Sequence, residues 1–326
     1  MGTVLITSAT LVGIEGEYLD ILKNAGLTVK WPKVPKLLSE EELLEQLEGV
    51  NATLASSEPY TRKVIESHPQ LKVIARSGVG WDAVDTPACT DHNVAVTITP
   101  GTNQHAVAEH TFALILAAAK NVVKQHNGLI EGKWPRGVTL PLRGRTLGVA
   151  GCGRIGKEVA LRGKAFHMNV IAYDPYPDEA FGKEHNIPFV SFDELLAQSD
   201  WLSLHMPMTS EAKHLINKDT LAKMKPTAFL VNTARGGLVC EKDVVAALDA
   251  GKLGGAALDV FEQEPCPPSK LFDFPNVTAT PHAAGVDMQS RMDMAVSAAK
   301  SIASLFKGEW PADTVVNPEI RDRFQW

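Results

Sequence analysis

Cysteine is scarce in this chain: of 326 residues, Cys89, Cys152, Cys240 and Cys266 are the four thiols, widely separated and without a C-x-x-C pair. That spacing excludes a disulfide framework and a zinc site, and it predicts a cytoplasmic protein. Positive charge is also short. Lys and Arg number 32 against 38 Asp and Glu, a net charge of -6, so no broad basic face exists for nucleic acid. Long apolar runs are missing too. The longest near a helical pattern, Phe112 to Ala119, falls far below the ~20 residues that cross a bilayer. The N-terminal Met-Gly-Thr-Val-Leu-Ile has neither a basic region nor a small-residue cleavage site, so no secretory leader is expected, and Ile6 breaks the myristoylation pattern. Repeats and low-complexity tracts are absent.

What the chain has is ordinary globular composition, 44% hydrophobic and 21% charged, which excludes disorder and coiled coil, and a steady alternation of short apolar runs with amphipathic stretches. Strands are predicted near Val4–Thr7, Thr28–Trp31, Ala52–Ser56, Val73–Arg76 and Ala95–Thr99. A second set is predicted near Thr146–Ala150, Val170–Tyr173, Trp201–Leu204, Ala228–Val231, Ala256–Val260 and Val277–Thr280. Ser39 with Glu42 three residues on forms a capping-box pattern ahead of Leu43 and Leu47. An alanine-rich helix is expected over Asn103–Val123, then a polar stretch from Gly128 to Gly144, and later a long helix over Met288–Phe306 followed by an extended tail, Ala312–Asn317. The pattern predicts two doubly wound α/β domains, 1–99 with 286–326 and 100–285, the first discontinuous.

Gly151, Gly153 and Gly156 stand in G-x-G-x-x-G spacing between a predicted strand and a predicted helix. The first glycine permits the tight turn, the second lets a pyrophosphate approach the backbone, and the third lets helix and strand pack closely. Asp174 ends the next strand, eighteen residues after Gly156, near the offset of a ribose-binding acid. A carboxylate there repels a 2′-phosphate and neither Pro175 nor Tyr176 supplies a cation, so NAD is expected rather than NADP.

Three later strands run into polar clusters at their C-terminal ends: Asn232-Thr-Ala-Arg235-Gly-Gly237, Asp259-Val-Phe-Glu262-Gln-Glu264-Pro265 and Thr280-Pro-His282. A histidine to exchange a proton, a carboxylate to favour its protonated form and an arginine for a substrate carboxylate or carbonyl suit hydride transfer. Taken singly, each has a plain structural reading as an ion-paired, loop or turn residue.

These segments, in order and over essentially the whole length, resemble the D-isomer-specific 2-hydroxyacid dehydrogenases, including their phosphoglycerate dehydrogenase and hydroxypyruvate or glyoxylate reductase branches. The resemblance implies a Rossmann-type NAD domain, a flavodoxin-like substrate domain and a homodimer formed through the NAD domain. It assigns acid/base work to His282, pairing with it to Glu264 and substrate orientation to Arg235. It further implies that Arg154 and Ile155 line the pyrophosphate, that Pro207 lies against the cofactor and that Asp259 meets the nicotinamide carboxamide. In the first domain Arg76-Ser77-Gly78-Val79-Gly80 precedes Asp82 and Asp85. The resemblance makes it a loop presenting backbone N–H groups to the substrate carboxylate, with Arg76 similar to a phosphate-contacting arginine; pairing of Arg76 with a nearby acid is the alternative. Trp134 and Arg136 resemble a segment bordering the active site.

Ala283-Ala284-Gly285 after the histidine, Gln104 and Ala212 depart from the family pattern, which leaves the substrate open among small anionic 2-hydroxy or 2-keto acids, 3-phosphoglycerate, glyoxylate and hydroxypyruvate included. No regulatory extension is expected after Trp326. A corepressor-like NAD-sensing protein is the reading from another class, and it lacks the expected interaction extensions.

Overall fold

The computed structural model describes residues 2–326, which form two compact units: one of the residues up to Asn103 together with Val286–Trp326, the other Gln104–Gly285. In the first unit, β1 (Gly2–Ile6), β2 (Leu27–Lys30), β3 (Ala52–Ala55), β4 (Val73–Arg76) and β5 (Ala95–Thr97) make one parallel sheet ordered β2-β1-β3-β4-β5. Alternate residues on each strand face opposite ways, and both faces are apolar. Val4, Ile6, Leu54 and Ala75 pack with α1 (Glu17–Asn24) and with α12 (Met288–Phe306), the last α-helix among the described residues. Leu5, Ala55, Ile74 and Val96 pack with α2 (Glu40–Gln46), α3 (Arg62–Glu66) and α4 (Thr86–Asp91). The Ser39 and Glu42 capping box opens α2 as the sequence predicts. The tail lies antiparallel along β5, with Ile98 N–H on Thr314 O at 2.9 Å and Val316 N–H on Val96 O at 2.8 Å.

The second unit repeats the plan with one strand more. Here β6 (Thr146–Ala150), β7 (Asn169–Tyr173), β8 (Trp201–Leu204), β9 (Phe229–Asn232), β10 (Gly255–Leu258) and β11 (Val277–Ala279) are parallel in the order β7-β6-β8-β9-β10-β11. Leu147, Val149, Trp201, Phe229 and Val231 bury one face against α5 (Gln104–Lys120) and α7 (Arg154–Ala165). Ala150, Leu202, Leu204, Leu230 and Leu258 bury the other against α9 (Phe192–Gln198), α10 (Lys218–Leu221) and α11 (Glu241–Asp249).

Two expectations need correction. The alanine-rich helix does not run on to Val123: Asn121 takes a left-handed conformation, and the chain bends by 62° into α6 (Val122–Ile130). The stretch predicted as polar beyond Gly128 is instead studded with exposed apolar side chains, Ile130 at 72%, Trp134 at 79% and Val138 at 100%. Glycine, arginine and lysine around them mask the signal in the sequence. Among the described residues no single helix is long and apolar enough to cross a membrane. The remaining helix, α8 (Glu179–His185), follows β7.

Candidate functional site

In the second unit the winding reverses around β6, whose neighbours β7 and β8 are reached by crossovers to opposite sides, so a crevice opens at the C-terminal ends of β6 and β8. The glycine loop stands there. Gly151 has φ +90°, and a Cβ on it would strike the His205 carbonyl group at 2.7–2.8 Å. Gly156, in the first turn of α7, packs so tightly that a Cβ would lie 1.9 Å from Gly151 O. Around Gly153, the N-cap of α7, nothing lies within 4 Å of a Cβ. Gly151 and Gly156 thus close the turn against the protein, and Gly153 leaves an open approach to the helix N-terminus, as a pyrophosphate requires. Arg154 is exposed at the start of α7, Ile155 is half-buried beside it, and Pro207 is exposed after β8.

Asp174 follows β7 and points back at this loop. Its Oδ2 accepts from Cys152 N–H at 2.7 Å and its Oδ1 from Tyr176 N–H at 2.9 Å. Each carboxylate oxygen retains acceptor capacity for a sugar hydroxyl. Cys152 itself is sealed off, its thiol pushed up to about 11 by burial and then by the Asp174 charge. His205, which sequence reading passed over, sits against the loop with Nε2 at 2.8 Å from Ser203 Oγ and Nδ1 buried, and burial drives its imidazole down to about 3. The one sequence hint was its place two residues before Pro207.

The reacting groups expected from the sequence lie on loops after β9, β10 and β11. Asn232 shapes the first, accepting from Ala234 N–H at 3.0 Å and donating to Arg235 O at 2.8 Å. Gly236 then lies so close to the next loop that a Cβ would fall 1.9 Å from the Phe261 carbonyl, so only glycine allows the Arg235 and Glu264 loops to touch. They are also laced by main chain to side chain: Glu241 N–H donates to Glu262 Oε2 at 3.0 Å and Glu262 N–H to Glu241 Oε1 at 2.6 Å. Glu262 further meets His214 Nε2 at 2.6 Å.

His282 Nδ1 and Glu264 Oε2 are 2.5 Å apart, and Phe261 N–H donates to Glu264 Oε1 at 3.0 Å. Burial pushes the Glu264 carboxyl up, but His282, the Phe261 amide and the Arg235 charge together bring it below the usual carboxylate range. His282 holds a left-handed backbone, φ +51°, uncommon for a residue with a side chain. Asp259, fully buried, keeps it there. Its carboxylate accepts from Ala283 N–H at 2.8 Å, Ala284 N–H at 2.9 Å and Thr280 Oγ1 at 2.6 Å, while its main-chain carbonyl accepts from His282 N–H at 2.7 Å. Asp259 is therefore an anchor of the histidine loop, a role that its position after β10 did not disclose. His110, on α5, adds a contact at 2.9 Å to Thr280 Oγ1, and nothing in the sequence pointed to it. Among the described residues no group of His, Cys, Asp and Glu is disposed to hold a metal ion.

The first unit carries the Arg76–Val79 segment at the end of β4. Ser77 N–H is taken by Ala55 O at 2.7 Å and Gly78 N–H by Thr99 Oγ1 at 2.9 Å. The amides of Val79 and Gly80 donate to nothing among the described residues, which narrows the expected anion-binding N–H groups to these two. Arg76 is only 6% exposed, with Nε on Gly80 O at 3.0 Å and Nη2 3.4 Å from Ser57 Oγ. Trp134 and Arg136 are exposed in the second unit.

Residues 112–284 match the NAD binding domain of the D-isomer specific 2-hydroxyacid dehydrogenases. A glyoxylate reductase from Korarchaeum cryptofilum is 39% identical over 290 residues, covering 86% of this chain and 87% of its own length. This chain belongs to that family. Residues 112–284 are accordingly an NAD-binding domain, and the glycine loop with Asp174 fits that cofactor. A D-3-phosphoglycerate dehydrogenase from Synechocystis is 38% identical over 333 residues and all of this chain, but the match spans 58% of the relative's length. The solved D-lactate dehydrogenase of Aquifex aeolicus, complexed with NAD and lactic acid, is 30% identical, with a TM-score of 0.82 over 97% of this chain and 99% of that one.

Proposed function

We propose that this protein interconverts a small D-2-hydroxy acid and its 2-keto acid with NAD. The observation that carries the reading is the His282–Glu264 pair, 2.5 Å apart at the C-terminal strand ends of a dinucleotide-binding sheet. NAD, when bound, supplies the two-electron acceptor or donor. Gly151, Gly153, Gly156, Arg154 and Ile155 hold its pyrophosphate, Asp174 its adenosine ribose, and Pro207 packs against it.

The rest is the chain's own work. In reduction, His282 gives a proton to the carbonyl oxygen of the keto acid; in oxidation it takes that proton from the hydroxyl group. Glu264 stabilises the protonated imidazole and fixes which ring nitrogen faces it. Arg235 holds the substrate carboxylate and polarises the carbonyl. The Arg76–Gly80 loop belongs to the first unit, which we take as the substrate domain, and offers the amides of Val79 and Gly80 to an anion. The exposed apolar side chains of 122–140 on the NAD unit fit a homodimer interface. Four free thiols, two of them buried, fit a reducing cytoplasm.

Spectrophotometry of NADH oxidation against a panel of 2-keto acids tests the reading. Turnover of at least one, lost in His282→Ala, supports it; a protein that binds NADH tightly but reduces none of them would instead fit a corepressor-like sensor.

A further inference from the structure

We infer that His110 and Thr111, neighbours on α5, are positioning residues that hold the two reacting loops of the second unit at a fixed spacing, His110 through the loop of His282 and Thr111 through the loop of Arg235. On the functional reading above, on which this rests, the pair sets the distance between the proton donor and the substrate-binding cation. Those loops follow β11 and β9, which are separated in the sheet by β10 and hence by about 10 Å. The helix α5 packs across all three strands, burying Ala108, Phe112 and Ile115 at helical spacing. Consecutive helix residues point about 100° apart, so His110 and Thr111 on the same turn reach different neighbours.

His110 Nε2 lies 2.9 Å from Thr280 Oγ1, and the Thr280 hydroxyl gives its single hydrogen to Asp259 Oδ1 at 2.6 Å. The hydroxyl therefore accepts from the ring, so Nε2 carries a hydrogen and a chain of donors runs from α5 to the buried carboxylate, whose Oδ1 is itself 3.5 Å from Nε2. Asp259 in turn holds the Ala283 and Ala284 amides and, by its main-chain carbonyl, the amide of His282. A left-handed histidine needs such support, because relaxation of the backbone would carry the imidazole away from Glu264. Thr111, fully buried, donates to Val107 O at 2.7 Å, which already satisfies a helical threonine. Its oxygen nevertheless takes a second contact, 2.8 Å from Thr233 Oγ1. With the Thr111 hydrogen spent, Thr233 is the donor. One turn of helix thus ties Thr280, two residues before His282, and Thr233, two residues before Arg235. An acid and a cation that act on one small substrate gain from a common support, since a misplacement of about 1 Å costs the reaction about a hundredfold.

The test cuts each tie in the full chain and follows NADH-dependent reduction of a 2-keto acid that the unmodified protein turns over. His110→Phe should lower kcat about thirtyfold with KM for the acid within about twofold, whereas Thr111→Val, which keeps the side-chain shape, should raise KM about tenfold with kcat within about threefold. His110→Gln and Thr111→Ser, which restore a donor and a hydroxyl, should recover each loss to within about threefold. Folded apolar variants with unchanged constants overturn the inference, as do the same changes of kcat and KM in both, or a Gln or Ser variant as impaired as its apolar counterpart. Should His110→Phe or Thr111→Val not fold, Thr280→Ala or Thr233→Ala, at the far end of the same contact, replaces it with the same expected loss. If no keto acid is reduced, the functional reading fails, and amide hydrogen exchange read by mass spectrometry decides this inference separately. His110→Phe should speed exchange in 280–285 about tenfold and leave 232–237 unchanged, Thr111→Val the reverse, and one pattern common to both variants overturns it.

Discussion

The two units are wound alike, β2-β1-β3-β4-β5 in one and β7-β6-β8-β9-β10-β11 in the other, yet their first strands end differently. In the first unit β1 runs into Thr7 and Ser8 and a single 3-10 turn, Ala9–Leu11. In the second, β6 runs into Gly151-Cys152-Gly153 and the twelve-residue helix α7, whose N-terminus is open. The same winding therefore supplies a crevice in both, and a nucleotide site in only one, because the site needs glycines at the turn and a helix end aimed at the crevice. Their buried ionisable groups differ as well. The first unit buries Glu58 and Arg76 near one end of its sheet, the second Asp259 under the histidine loop, with the half-buried imidazole of His205 against the glycine loop.

The sharpest way to break this contrast is to remove the proton donor assigned to the second unit. His282→Ala should cut kcat by about a thousandfold while the dissociation constant for NADH, read by fluorescence, stays within about twofold. Glu264→Gln should cost less and move the pH profile of reduction toward lower pH, since the protonated imidazole loses its carboxylate partner. Full activity in the histidine variant would mean that the pair is structural.

Next come the glycines, which separate turn-making from ligand approach. Gly156→Ala drives a methyl group into Gly151 O and should destabilise the second unit by about 3 kcal/mol, lowering Tm by roughly 6–12 °C. Gly153→Ala meets no protein atom, so Tm should hold while NADH affinity falls about tenfold or more. Equal effects of the two on calorimetry and on titration with NADH would refute the division of labour. A smaller effect is expected at Asp174: the unmodified protein should prefer NAD over NADP, and Asp174→Ala should narrow the ratio of kcat/KM values about tenfold.

The subtlest difference lies in acid response. His205 has its pKa depressed from 6.5 to about 3, so the stability it lends the second unit is present above pH 6.5 and is lost as pH falls toward 3, on the order of 5 kcal/mol in all. Burial raises Glu58 above 4.5, so its contribution to the first unit is present below pH 4.5 and is lost as pH rises through the folded value. Denaturant titrations across pH should show His205→Gln flattening the acid side and Glu58→Gln the opposite side. Identical slopes in both variants would erase the contrast.

Most of the architecture was legible because each strand is a short apolar run that begins and ends in turn residues, and all eleven fall where those runs lie. The glycine loop, Asp174, Arg235, Glu264 and His282 were legible because residues near a strand end carry their chemistry in their type and spacing. What escaped depends on partners remote in sequence. Nothing near Asp259 announces that it clamps Ala283 and Ala284. The break at Asn121 escaped because alanine-rich periodicity continues through it, and only a left-handed residue stops the helix.

The return of Val286–Trp326 to the first unit has a consequence in time. On the ribosome, residues 104–285 emerge whole and can close their sheet while the first unit still lacks α12 and the strip that lies along β5. The earliest residues made are then among the last to settle. Until residue 317 is out of the exit tunnel, the apolar face of β1, β3 and β4 waits for Ala295, Ala298 and Ile302, and it is there, during synthesis, that a chaperone has most to cover.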